Sequence, residues 1–107
     1  MERESAEDNM DTRAILALLE AKPGKEQELE TFLKSAQPLA VAEPATTTWY
    51  AVKLGPAKFG IFDTFPDDAG RQAHLSGPIA KALMAKAGEL LAKPPQLEMV
   101  EILAAKG

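Results

Sequence analysis

Apolar positions along the chain change their period several times, and each change marks an element. From Thr12 to Ala21 the unbroken run Ile15-Leu16-Ala17-Leu18-Leu19 is stopped by Lys22-Pro23-Gly24, which predicts a strand buried on both faces rather than a short helix. Between Lys25 and about Ala40, Leu29, Phe32, Leu33 and Ala36 recur at helical spacing while Glu26, Glu28 and Lys34 fall elsewhere, predicting an amphipathic helix. After Glu43-Pro44, the Thr, Trp, Tyr and Val of Thr46 to Leu54 predict a strand. Gly55-Pro56 then turns the chain into a second β-prone run, Lys58 to Phe65, completing a hairpin. Pro66-Asp67-Asp68 opens a helical region that Ser76-Gly77-Pro78 interrupts. Beyond the break, Ile79, Leu83, Ala87, Leu90 and Leu91 form a second apolar stripe. Lys93-Pro94-Pro95 ends that helix, and Leu97 to Leu103 reads as a final strand.

The resulting order is β-α-β-β-α-β with its second helical region split in two. It predicts an α+β, ferredoxin-like domain in which both helical regions pack on one face of a four-stranded sheet. The first and last strands carry apolar residues of both parities, so the helix-free face is apolar as well and needs a cover. A second copy of the chain meets that need, and a homodimer through the helix-free sheet face is expected. Met1 to Asp11, polar with five acidic groups and no periodicity, reads as a flexible acidic tail ahead of one domain over residues 12–107.

Composition narrows the chemistry. The 107 residues suffice for one core, and 12 basic against 16 acidic side chains give a net charge of −4, which argues against capture of nucleic acid through a basic patch. The absence of Cys excludes disulfides, thiolate metal sites and cysteine nucleophiles, and a single His excludes a multi-histidine metal site within one chain. A metal bound by carboxylates alone is left open by composition, and metal-dependent hydrolysis is disfavoured. Gly55, Gly60 and Gly77 form no phosphate-binding loop, and neither a nucleophile elbow nor an HExxH pattern occurs. No apolar stretch is long enough for a membrane span and no leader pattern opens the chain, so a cytoplasmic protein without membrane contact is expected.

Four segments carry a resemblance: Lys22-Pro23-Gly24-Lys25 before a helix, Glu43-Pro44-Ala45-Thr46 before a strand bearing Trp49, Phe59-Gly60-Ile61-Phe62-Asp63-Thr64-Phe65, and Ala73-His74-Leu75-Ser76-Gly77-Pro78 leading into a helix. In order and spacing they resemble the antibiotic biosynthesis monooxygenase superfamily, specifically its small quinol-monooxygenase-like members, over residues 12–104. The resemblance implies a dimeric α+β barrel with a cavity in each subunit. It also implies cofactor-independent oxidation of a small hydroquinone or polyphenol by dioxygen, the substrate supplying the reducing power. The haem-degrading branch of that superfamily is not matched, since no Asn lies between Thr12 and Lys22 and no second His follows His74. A non-catalytic dimeric module that binds a small ligand or serves in a stress response is the alternative on the same fold, and an oxygen-independent isomerase or decarboxylase needs the same base.

Within this frame His74 is the candidate proton acceptor, as the one side chain that titrates near neutrality, and Asp63 its candidate orienting partner. The resemblance places both beside the cavity. The competing readings are a histidine held at a helix terminus by the local dipole, and an Asp in water or paired with Lys or Arg at a strand end. An Asp where relatives carry Glu sets its carboxylate back by about one methylene. Trp49, Tyr50, Phe62 and Phe65 are candidates for binding a small aromatic, quinol-like ligand; core or interface packing is the competing role. Alternation sends Trp49 and Tyr50 to opposite faces. Met84 and Met99 are read as core, and Lys81, Lys86 and Lys93 as a solvated face.

Overall fold

A computed structural model describes residues 12–106, so the proposed acidic tail lies outside the described residues. The elements are β1 (Arg13–Glu20), α1 (Glu26–Ser35), α2 (Gln37–Ala42), β2 (Thr48–Lys53), β3 (Lys58–Phe65), α3 (Asp68–Leu75), α4 (Pro78–Leu90) and β4 (Gln96–Glu101). The strands form one antiparallel sheet in the order β2-β3-β1-β4, the ferredoxin-like arrangement expected from the βαββαβ order. β1 and β3, the two most apolar strands, occupy its centre.

Two boundaries differ from the periodic pattern. The single helix expected from Lys25 to Ala40 is two helices meeting at Ala36, because Pro38 lacks an N–H and its ring opposes continuation of the preceding turn. Pro38 is instead accommodated in the first turn of α2, where its missing donor costs nothing. The last strand ends at Glu101, two residues short of Leu103, which is 92% exposed.

Register sorts the strand residues cleanly. Ile15, Ala17 and Leu19 of β1 share a face with Phe59, Ile61 and Asp63 of β3, and this face meets the helices. Leu29 and Leu33 of α1 and Leu83 and Leu90 of α4 close over Phe59 and Ile61 as the main core. Gly24, with φ of 86°, occupies the left-handed region in the turn before α1. Arg71 of α3 ties the helices to the far end of the sheet, donating from Nη1 to the carbonyls of Ala14 (3.3 Å) and Val100 (3.2 Å) while Nη2 pairs with Asp68.

The opposite face carries no helix. Leu16, Leu18 and Phe62 are half-buried there, flanked by the exposed Tyr50 and Val52 of β2 and the half-buried Val100 of β4. The first strand is thus fully buried toward the helices and only partly covered on its other side. Leu97 and Met99 face the helix side of β4 but remain 47% and 45% exposed, since they lie on an edge strand at the rim of the helical layer.

Candidate functional site

β3 delivers a carboxylate to the middle of this packing. Asp63 follows Phe59 and Ile61 at strand period on the helix-facing side, and its side chain is 1% exposed. A buried Asp needs a partner. It is supplied by His74, in the last turn of α3, whose Nε2 lies 2.9 Å from Asp63 Oδ2. This is a close ion contact rather than an aligned hydrogen bond, and among the described residues neither Asp63 oxygen meets a hydrogen-bond donor.

The other ring nitrogen is engaged as well. Nδ1 lies 2.7 Å from Oε1 of Glu43, the residue that ends α2. Glu43 stands in extended backbone, and the Thr46 hydroxyl donates to the same Oε1 at 2.7 Å, fixing the carboxylate over the turn Glu43-Pro44-Ala45-Thr46. Its other oxygen, Oε2, is buried without a hydrogen-bond partner. The Phe65 ring, fully buried, packs against the imidazole with centroids 5.3 Å apart and planes tilted by 46°.

Local sequence explains why these groups meet. Asp67 caps α3 by accepting from the Gly70 N–H at 2.8 Å, which sets the direction of the helix. Gly70 lets α3 press against the Glu43 turn: a Cβ there would stand 3.1 Å from the Ala45 carbonyl oxygen. The break at Ser76-Gly77-Pro78 ends α3 one residue after His74, and the Gly77 N–H donates to the His74 carbonyl.

Asp63 and His74 lie at the inner end of a cavity of about 120 Å³ between β1, β3, α4 and β4. Its walls are Ile15, Ala17, Ile61, Ile79 and Leu83, and Met84 and Leu97, both substantially exposed, stand at its outer side. Met84, expected in the core, is 62% exposed. An apolar cavity of about 150 Å³ holds one benzene ring, so this smaller space takes a single aromatic ring at most. Among the described residues no group of three His, Asp or Glu side chains is placed to hold a metal ion.

The aromatic side chains are distributed differently from the expected binding wall. Tyr50 and Phe62 pair across β2 and β3 on the helix-free face, away from the cavity, as the period-2 pleat requires for neighbours of Trp49 and Asp63. Phe65 backs His74 without lining the cavity. Trp49 packs between the two core clusters and borders a separate groove with Thr46, Thr47 and Thr48. The cavity walls are aliphatic. Glu43 was not singled out from the sequence as a site residue; the available signal was a Glu-Pro turn with Thr three residues on, which offers a carboxylate and the hydroxyl that fixes it.

Electrostatics favour a charged imidazole. Burial lowers the His74 pKa, but the close contacts with the carboxylates of Asp63 and Glu43 and their negative charges together outweigh it and hold the pKa above the usual histidine value. Among the described residues no other charged group faces the ring: Arg71, one turn earlier on α3, is committed to Asp68 and to strand carbonyls, and α4 presents only apolar side chains to the cavity. A raised pKa means that the folded state binds the proton more tightly than the unfolded chain. The stabilisation is therefore complete below the unfolded value of about 6.5 and is lost as pH rises through the folded value. In thermal unfolding, His74→Gln is expected to show its full deficit against the parent protein at pH 6 and a shrinking one at alkaline pH. A deficit that grows with pH contradicts this assignment.

The fold is shared with solved structures described as candidate antibiotic biosynthesis monooxygenases. The chain superposes with a TM-score of 0.77 on a candidate antibiotic biosynthesis monooxygenase from Nitrosomonas europaea, at 12% identity over 92% of this chain and 97% of that one. A second such candidate, from Chloroflexus aurantiacus, gives a TM-score of 0.70 at 17% identity over 90% and 97% of the two chains. Within this fold the chain belongs to the family of a Nitrosomonas europaea protein of unknown function, to which it is 60% identical over 91% of its own length and 94% of that chain's, with a TM-score of 0.89. No protein-family model matches the chain and no curated protein shows significant similarity to it.

Proposed function

We propose that the protein is a cofactor-independent monooxygenase that oxidises a small hydroquinone or related phenol with dioxygen, acting as a homodimer. The observation that carries this reading is the buried Asp63–His74 pair at the inner end of a small apolar cavity. A phenol bound there loses its proton, and the electron-rich phenolate passes electrons to dioxygen. In the overall reaction hydroquinone and dioxygen give hydroxyquinone and water: one oxygen atom enters the ring, the other leaves as water, and the substrate supplies all four electrons. The protein's part is to bind the ring, exclude water and take the hydroxyl proton.

The dimer is supported by the helix-free face. Leu16, Leu18, Phe62, Val52 and Tyr50 form an apolar surface at the sheet centre, and a second copy provides a matching one about a two-fold axis. Tyr50 and Phe62 then belong to the subunit interface. Oxygen consumption by the purified protein against a panel of hydroquinones, with a protein-free blank for autoxidation and light scattering for mass, tests both parts. Saturable uptake above the blank by a species of twice the chain mass is expected. Uptake equal to the blank across the panel removes the monooxygenase reading, and a monomer at micromolar concentration removes the dimer.

A further inference from the structure

We propose that Asp63, through Oδ1, is the proton acceptor of this site, that His74 and Glu43 are its positioning residues, and that the ligand is a neutral aromatic presenting an O–H donor rather than an anion. The ligand part of this inference rests on the function proposed above; the division of roles rests on geometry alone.

A neutral imidazole has one N–H and one lone pair. Here both ring nitrogens face carboxylate oxygens, at 2.7 Å and 2.9 Å, and a lone pair directed at either carboxylate would be repelled. The arrangement therefore fits an imidazolium that donates toward both carboxylates, which leaves His74 with no basic nitrogen to offer a substrate. Two carboxylates against one imidazolium leave a surplus negative charge. It resides on oxygens that lack a hydrogen-bond donor among the described residues, Glu43 Oε2 and both oxygens of Asp63. Of the Asp63 oxygens, Oδ2 is in ion contact with the imidazole and Oδ1 is not, and of these two residues only Asp63 lines the cavity. A buried carboxylate oxygen without a donor is costly, and a ligand hydroxyl removes that cost. A ligand carboxylate or phosphate adds like charge in an apolar space and is rejected.

In the proton-transfer step the ligand O–H bond breaks, an O–H bond forms at Asp63 Oδ1, and the electron pair stays on the ligand oxygen as phenolate. The adjacent imidazolium offsets the charge that moves onto the phenolate. Glu43 acts through His74: it neutralises the second N–H and, held by Thr46, fixes the ring plane. Gly77 belongs to the same arrangement, because a Cβ there would lie 3.2 Å from Glu43 Oε2 and from the Ala73 carbonyl oxygen.

His74 is the only histidine in the chain, so its ring nitrogens give a single unambiguous set of NMR signals. In ¹⁵N-detected titration the parent protein is expected to keep both ring nitrogens protonated to higher pH than an ordinary histidine, and Glu43→Gln to titrate at lower pH than the parent. Under anaerobic conditions hydroquinone is expected to perturb the Asp63 carboxyl ¹³C signal and to bind at least tenfold more tightly than 1,4-dimethoxybenzene, which has the same ring and no donor, or than benzoate. Glu43→Gln is expected to lower kcat more than it raises KM. A neutral His74 with a bare ring nitrogen, measured in the parent protein and so independent of whether any variant folds, overturns the division of roles. Equal binding of hydroquinone and its dimethyl ether overturns the ligand assignment. Hydroxyl-dependent binding without oxygen consumption supports this inference and removes only the monooxygenase reading.

Discussion

Asp63→Asn is expected to lower hydroquinone-dependent oxygen consumption by about 10²-fold or more, within the range usual for loss of a positioned proton-transfer group. The substitution keeps the shape and removes the basic oxygen, so ring binding survives and the loss appears in kcat more than in KM. It also releases His74 from one of the two carboxylates that hold its proton, and its ring titration moves to lower pH. Stability responds less predictably in size than activity, because the change both relieves a buried charge and removes its ion pair. Steady-state kinetics, histidine titration and thermal unfolding on the same variant separate these effects. If Asp63→Asn retains parental kcat while His74→Gln abolishes it, the proton acceptor is the histidine and the geometry has been assigned the wrong way round.

The fold was legible because its main signals are periodic. The apolar runs of β1 and β3, the helical stripe of α4 and the Gly-Pro turn between β2 and β3 each set a local conformation that the sheet then combines. Pro38 carried a local signal too, but the apolar stripe of Leu29, Phe32, Leu33 and Ala36 runs up to it and hides the break in α1–α2. The site was legible as a candidate pair, His74 with Asp63 as its partner, without the geometry that joins them. His74 and Asp63 stand out because one is the sole histidine and the other a carboxylate within a β-prone apolar run. Their contact, and the addition of Glu43, depend on how α3 crosses the sheet and on the close approach at Gly70, which no local pattern encodes. The aromatic residues misdirect for a related reason. Aromatic rings concentrate wherever area must be buried, and strand parity alone decides which of Trp49, Tyr50, Phe62 and Phe65 reach the helix side.

Phe59→Ala is expected to cost about 3–5 kcal/mol, the largest stability loss among the substitutions considered, and to lower Tm by roughly 15–30 °C. Phe59 is 2% exposed and belongs to the core that joins Leu29 and Leu33 of α1, Leu83 and Leu90 of α4, and Leu19 of β1. Removing its ring leaves a void beneath both helices that two rigid layers cannot close. The position also provides a control for the site. Phe59 lies four residues from Asp63 along β3, about 13 Å at strand rise, and shares no hydrogen-bond network with it. Effects at that separation add. Phe59→Ala should therefore leave the ring signals of His74 unchanged below its lowered Tm, and the double variant with Asp63→Asn should show the sum of the two stability changes. A shifted His74 titration in Phe59→Ala, or strong non-additivity in the double variant, would show that the core and the buried ion network are one cooperative unit, with the helix positions over Phe59 setting the distance between His74 and Asp63.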